Sequence, residues 1–445
     1  MSALSPLDGR YAAAVAPLTD YLTEDALNRA RVRVEIEWLI YLIESGLLPG
    51  ELSEEDKAAY RNIEVDIPAL KAIEEETRHD VKAVEYYLRE KVKYPDLIHI
   101  FATSEDINNL AYGLTIKEAT QNVWLPAARQ LVTDIANLAR SAADVPMLSR
   151  THGQSATPTT LGKEMAVFAH RLDRQLRRVE AAEYLGKFNG ATGTFSAHCV
   201  CLPEADWPAH SKAFVEGLGL TWNPLTTQIE SHDWQAELFA DIARTGRILH
   251  NLATDVWTYI SMGYFRQNLA AQGSTGSSTM PHKVNPIRFE NAEANLEISG
   301  ALLDTLGATL VTSRLQRDLT DSTTQRNIGV ALGHSLLAID NITRGLAGLE
   351  VATDVMAADL DRSWEVLGEA IQQAMRTAIA RGATGLDSPY ERLKELTRGH
   401  EVTEATMREF ITTLGLPEDL EQRLLELTPA AYIGVAPQLL SYLKV

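Results

Sequence analysis

Met165, Phe168, Leu172, Leu176 and Val179 recur at steps of three and four, and this spacing constrains the fold more than any other feature of the chain. Side chains so spaced line one face of a long α-helix, with Arg171, Arg174, Arg177 and Arg178 largely off it. Ile248, Leu252, Val256 and Ile260 make a second stripe, inside a proline-free segment from about His232 to Phe265. A third long helix is expected from about Leu114 to Ala142, interrupted only by Pro126. Such lengths exceed the usual range of roughly 8–20 residues and point to a long-helix bundle. Period-two alternation of β-branched residues is scarce, and no βαβ rhythm appears. The expected class is all-α. At 445 residues, about three domains are expected. Shorter helices with turn signals fill 1–111, the long-helix bundle fills 112–347, and a smaller helical region, broken by Gly382, Gly385, Pro389, Gly399 and Pro417, fills 348–445.

Charge narrows the partners. Lys and Arg number 41 against 60 Asp and Glu, a formal charge of −19. A body this acidic repels polyanions, so neither nucleic acid nor an anionic membrane is an expected partner. A small anionic ligand would need a locally basic pocket. The C-x-C pair Cys199 and Cys201 has no second pair to complete a zinc site and is too close for an ordinary disulfide, so two reduced thiols are expected. The N-terminus MSALSPLDGRY lacks the basic-then-apolar pattern of a secretion signal, and no run reaches the roughly 18 apolar residues of a membrane span. A cytoplasmic protein is expected.

Six segments concentrate cationic and hydroxyl residues. The stretch from Gln272 to Pro286, rich in Gly, Ser and Thr, has no continuous apolar face and reads as a loop. It ends at Asn285, a good N-cap, with Pro286 at the expected first helical position. The free N–H groups of that helix start, with Lys283 beside them, suit a carboxylate or phosphate. By spacing alone this is equally a lid over an anion site or a surface loop capping a helix. In SRTHGQSATPTT, His152 stands in a polar stretch before the Met165 helix, whose start Thr157 and Pro158 resemble. A lone His is more often a satisfied polar group, although Thr151 and Gln154 could orient it. Arg78, His79 and Asp80 look like a capped helix start, as do Thr103, Ser104 and Asp106. Arg317, Ser322 and Arg326 could hold phosphate or form a solvated face. Asp8–Tyr11, DGRY, says nothing alone. Together the six favour a small, multiply anionic ligand. There is no dinucleotide fingerprint, Walker loop, nucleophile elbow or His-Glu-x-x-His.

The loop GSSTMPHKVNP, Gly276–Pro286, resembles the G-S-S-x-M-P-x-K-x-N-P signature of the fumarase/aspartase superfamily. SPLDGRY, TRHDVKAVEYYL, TSEDINN, SRTHGQ, TTQIE, QRDLTDST and the C-terminal PYERLKELTRG extend the resemblance over nearly the whole chain. They point to the branch that acts on succinylated purine nucleotides. The resemblance implies three helical domains, the middle one donating long helices to a homotetramer core with active sites shared between subunits. It implies a β-elimination that releases fumarate from a phosphorylated purine, or purine precursor, carrying a succinyl group. No metal or organic cofactor is implied.

Carried over by position, the resemblance makes Ser277 the general base and His152 the general acid, with His79 helping to orient nucleotide or acid. Arg10, Tyr11, Ser322 and Arg326 match phosphate-site positions. Arg78, His79, Asp80, Thr103, Ser104, Gln228, Ser278, Lys283, Val284, Asn285, Asn291 and Arg317 match substrate-contacting positions. One departure is visible: Ser155 stands where relatives carry proline, which should loosen the turn after His152. The alternatives are another lyase of the superfamily, such as argininosuccinate lyase, or a crystallin-like protein without activity. The four phosphate-type residues argue against the first, and the retention of His152, Ser277 and Lys283 against the second.

Overall fold

Each predicted stripe lies on a helix, and helices dominate the computed structural model, which describes residues 4–268, 280, 283–386, 391 and 402–445. Ser277 and Ser278 lie outside the described residues, as does most of the Pro389–Gly399 segment. The Met165 stripe is the buried face of Leu161–Glu180. Each large side chain so buried contributes about 1.5–3 kcal/mol. The second stripe runs along Asp233–Ser261. Among the described residues strands are few and short, in three two-stranded sheets. No helix among the described residues is long and apolar enough to cross a membrane.

Two local expectations are corrected. Pro126 does not interrupt its helix, which begins at Ser104, passes through a π turn at Thr120–Trp124 and continues as Leu125–Ser141. A proline lacks the N–H for the ladder and clashes with a carbonyl one turn back; the wider π turn just before it re-spaces those carbonyls. Thr157 and Pro158 do not start a helix either. They belong to the strand Gln154–Thr160, and the helix begins at Leu161, where the Thr160 hydroxyl accepts the Lys163 N–H at 3.1 Å. The β-branched run Thr157, Thr159, Thr160 suits a strand.

The chain divides into two compact units. The first comprises Met1–Arg129, Arg174–His250 and Asn291–Asp340. One of its cores joins Glu24–Glu44, Ile67–Thr77 and Asp80–Arg89 through Ile36, Leu39, Leu70, Val84 and Leu88. Its N-terminal segment lies close on the Ile328–Ala347 helix, because a Cβ at Gly329 would stand 2.6 Å from the Leu22 carbonyl and one at Gly333 2.8 Å from Leu7. The second unit comprises Gln130–Asp173, Asn251–Glu290 and Asn341–Val445. It holds the hairpin Pro146–Thr151/Gln154–Thr160 and a C-terminal core of Leu360, Trp364, Leu367, Ile371 and Met375, into which the hairpin contributes Leu148.

Candidate active site

Within the first unit, three of the expected residues are tied into one polar ladder. Arg317 Nη1 lies 2.9 Å from Glu105 Oε1, which also accepts from Asn108 at 2.8 Å. Asn108 Oδ1 accepts from Arg31 Nε at 2.9 Å. Arg31 Nη2 donates to Asp80 Oδ2 at 2.7 Å, and its Nη1 to Asn28 at 2.9 Å, so this buried guanidinium is fixed on three sides. Asp80 Oδ2 lies 3.7 Å from Arg326, whose Nη1 meets Glu24 Oε1 at 3.0 Å. Burial works to raise the Asp80 pKa. The Arg31 charge, with hydrogen bonds from Val81 and Arg31, outweighs it and holds the carboxyl below its ordinary value. Arg317, Asp80 and Arg326 thus share an electrostatic frame whose other members, Arg31, Asn108, Glu105 and Glu24, sequence reading missed.

Helix ends present the neighbouring residues. Arg78 closes Ile67–Thr77 in a left-handed conformation, φ 56°, and reverses the chain. His79 then caps Asp80–Arg89, its Nδ1 accepting the Lys82 N–H at 3.2 Å. That bond makes Nδ1 the acceptor and assigns the ring proton to Nε2. Thr103 and Ser104 stand at the head of Ser104–Ala119, where the expected helix start is confirmed. Asp106 holds that start. Its carboxylate accepts from Thr103 N at 2.9 Å, Lys187 Nζ at 2.8 Å, Asn189 N at 2.9 Å and Gly190 N at 3.0 Å. Just upstream, His99 has φ 62°, with Nδ1 2.6 Å from Glu35 Oε1 and its N–H donating to Oε2 at 3.0 Å. Burial disfavours the charged imidazole, but the Glu35 carboxylate prevails and raises its pKa above the ordinary value.

The remaining first-unit residues form smaller groups. Asn291 Nδ2 donates to the Tyr11 hydroxyl at 3.1 Å, and the Arg10 guanidinium carbon lies 5.8 Å from the Tyr11 ring centre. A cavity of about 560 Å³ is bordered by Asp8, Ala12, Glu24 and Arg326. Ser322 lies half-buried on the short helix Thr320–Gln325, which leads into Arg326. Gln228 Nε2 donates to the Ala191 carbonyl at 2.8 Å.

In the second unit, His152 and Gly153 are the whole loop of a tight hairpin. Thr151 pairs with Gln154, and Arg150 with Ser155, so Ser155 is a paired strand residue. Both loop residues are left-handed, φ 54° and 75°, as a two-residue hairpin turn with matching twist requires. His152 is exposed at the tip. The strands below it are anchored by Arg150 on Asp359 at 2.6 Å and Thr157 on Glu369 at 2.6 Å. Lys283 is exposed, and its N–H donates to the Met280 carbonyl at 2.9 Å. Gln267 pins the Val284 carbonyl at 2.8 Å. The following helix starts at Ile287, with Pro286 accepting the Phe289 N–H, so the half-buried Asn285 and Pro286 stand one position further from the helix than expected. Cys199 and Cys201 are free and exposed. Among the described residues, no group of three or more His, Cys, Asp and Glu side chains is arranged to hold a metal.

Comparison with known proteins gives the family and the fold. Residues 9–297 match the family described as Lyase, and 313–433 match the one described as adenylosuccinate lyase C-terminal. The chain is 47% identical to the adenylosuccinate lyase of Escherichia coli (strain K12), over all of this chain and 99% of that protein. It is 46% identical to that of Haemophilus influenzae, with the same coverage. Among solved structures, a fumarate lyase from Mesorhizobium sp. BNC1 superposes with a TM-score of 0.78 at 20% identity, covering 96% of this chain and 97% of that one. The 3-carboxy-cis,cis-muconate lactonizing enzyme from Pseudomonas putida follows at 0.75 and 20%, covering 96% and 95%. At such identities these two speak for the fold alone.

Proposed function

The chain belongs to the adenylosuccinate lyase family, and from that premise we propose that it cleaves adenylosuccinate to AMP and fumarate by β-elimination. The observation that carries this reading is the full-length match at 47% identity, which spans every segment singled out above. In the proposed reaction Ser277 removes a proton from the carbon beside a succinyl carboxylate. Negative charge then develops on that carboxylate, the C–N bond breaks, and His152 protonates the departing nitrogen. A serine hydroxyl is a poor base unaided, so it must be activated locally, its O–H made acidic enough for the alkoxide to form. The Lys283 cation and the N–H groups at the Ile287 helix start are suited to stabilising the developing carboxylate charge. An exposed imidazole at the tip of a tight two-residue turn is accessible to a bound substrate and suits proton donation. Arg10, Tyr11, Ser322 and Arg326 take the phosphate in this reading. Arg78, His79, Asp80, Thr103, Ser104, Gln228 and Arg317 contact the rest of the nucleotide and succinyl group, with Ser278, Val284, Asn285 and Asn291. The succinylcarboxamide ribotide of purine synthesis is the proposed second substrate. The proposed assembly is a homotetramer with sites shared between subunits.

An absorbance assay with adenylosuccinate beside argininosuccinate tests the substrate. Turnover of the second without the first would sink the assignment. Ser277→Ala and His152→Gln should each lose activity by about 10²–10⁴-fold with unchanged melting temperature. Mixing the two inactive variants should restore some turnover. No recovery, with subunit exchange confirmed, would count against shared sites.

A further inference from the structure

Glu105, Asn108, Tyr112 and Thr115 follow at steps of three, four and three on Ser104–Ala119, so they share one helix face. Glu105 and Asn108 already belong to the ladder, through Arg317 and Arg31. Tyr112 and Thr115 line a small pocket with Thr23, Glu24, Gln325 and Arg326. Its volume is about 40 Å³. A water needs roughly 10–15 Å³ by the same measure, so the space takes a compact group and not a purine ring.

Two observations identify that group. Arg326 already holds an anion there, the Glu24 carboxylate at 3.0 Å, and that carboxylate is exposed and exchangeable. Beside it, the Tyr112 hydroxyl has no hydrogen-bond partner among the described residues, although its ring is half-buried. Burial pushes the Tyr112 phenol up to about 12, against a downward pull from Arg31 and Arg326. The hydroxyl therefore remains a neutral donor throughout the neutral range.

We propose that Tyr112 is a positioning residue for the substrate phosphate: its O–H and the Arg326 guanidinium together hold the phosphate, which displaces the Glu24 carboxylate. This inference rests on the reading of the substrate as a phosphorylated purine. A neutral donor suits the place. Arg31 and Arg317 are already neutralised by Asp80 and Glu105, and a further carboxylate would repel the ligand.

Tyr112→Phe keeps the ring and removes the donor. In the intact enzyme the KM for adenylosuccinate should rise about tenfold, the effect of one lost hydrogen bond to a charged group, with kcat falling less than about twofold. Product inhibition by AMP should weaken about as much, and inhibition by fumarate, which has no phosphate, should not change. Equal weakening for AMP and fumarate, or no change in either, overturns the proposal. Glu24→Gln removes the competing anion and should tighten AMP inhibition about two- to fivefold; looser inhibition also overturns it. Absence of adenylosuccinate turnover in the unmodified enzyme overturns the functional reading. Turnover with unchanged Tyr112→Phe kinetics overturns only the role of Tyr112.

Discussion

Lys187–Asp106 and Arg326–Glu24 are both ion pairs of the first unit, at 2.8 and 3.0 Å, yet the first is fully buried and the second has side chains 45% and 64% exposed. The buried pair costs several kcal/mol in desolvation, offset only because backbone N–H groups of Thr103, Asn189 and Gly190 also bind the Asp106 carboxylate. Such a pair cannot exchange partners without leaving a charge stranded. The exposed pair gives up little on opening, because water replaces each partner. The two therefore differ in role: one fixes the head of the Ser104–Ala119 helix, and the other can open at little cost, as the proposed phosphate site requires of Arg326.

The largest expected effect comes from breaking the buried pair. Lys187→Met should destabilise the fold by about 3–5 kcal/mol in urea unfolding, since Asp106 loses the only counter-charge within hydrogen-bond reach of it among the described residues. A cost below about 1 kcal/mol would mean that the backbone donors suffice alone. Arg326→Met should change stability by less than about 1 kcal/mol. It should weaken AMP binding about tenfold to a hundredfold, as expected for lost hydrogen bonds to a charged group. A melting temperature falling as far as in Lys187→Met would erase the distinction. The smallest effect concerns His99–Glu35, intermediate in burial. The folded pKa of His99 is raised, so its charged-pair contribution is complete below the ordinary value of about 6.5 and is lost as pH climbs through the raised one. The stability advantage over His99→Gln should shrink as pH climbs above about 6.5; a growing advantage would reverse the assignment.

The helical class was legible because burial imposes a 3.6-residue period, which the Met165 and Ile248 stripes display directly. The helix starts at Asp80 and Ser104 were legible because capping is local chemistry. The hairpin at His152 was harder: its strands are short, Pro158 lies inside one, and Ser and Thr serve turns, caps and strands alike. Continuity through Pro126 depends on a π turn, which leaves no mark in hydrophobic spacing. Arg31, Asn108 and Glu24 escaped notice for another reason. Asn108 is 77 residues from Arg31, and Glu24 is 302 from Arg326, so no local pattern joins them. The polar face Glu105, Asn108, Tyr112 follows helical spacing, but polar side chains so spaced read equally as a solvated helix face. Ser277 rests on the signature alone.

The left-handed backbone at His152 has a further consequence. A side chain in that conformation costs about 1–2 kcal/mol that glycine would not, and asparagine tolerates it better than histidine. A search for sequences that merely stabilise this hairpin would discard the imidazole among its first choices, and with it the general acid proposed for the reaction. Stability optimisation of the chain therefore needs position 152 excluded from the outset, and a gain in melting temperature at that site would be a warning to assay turnover.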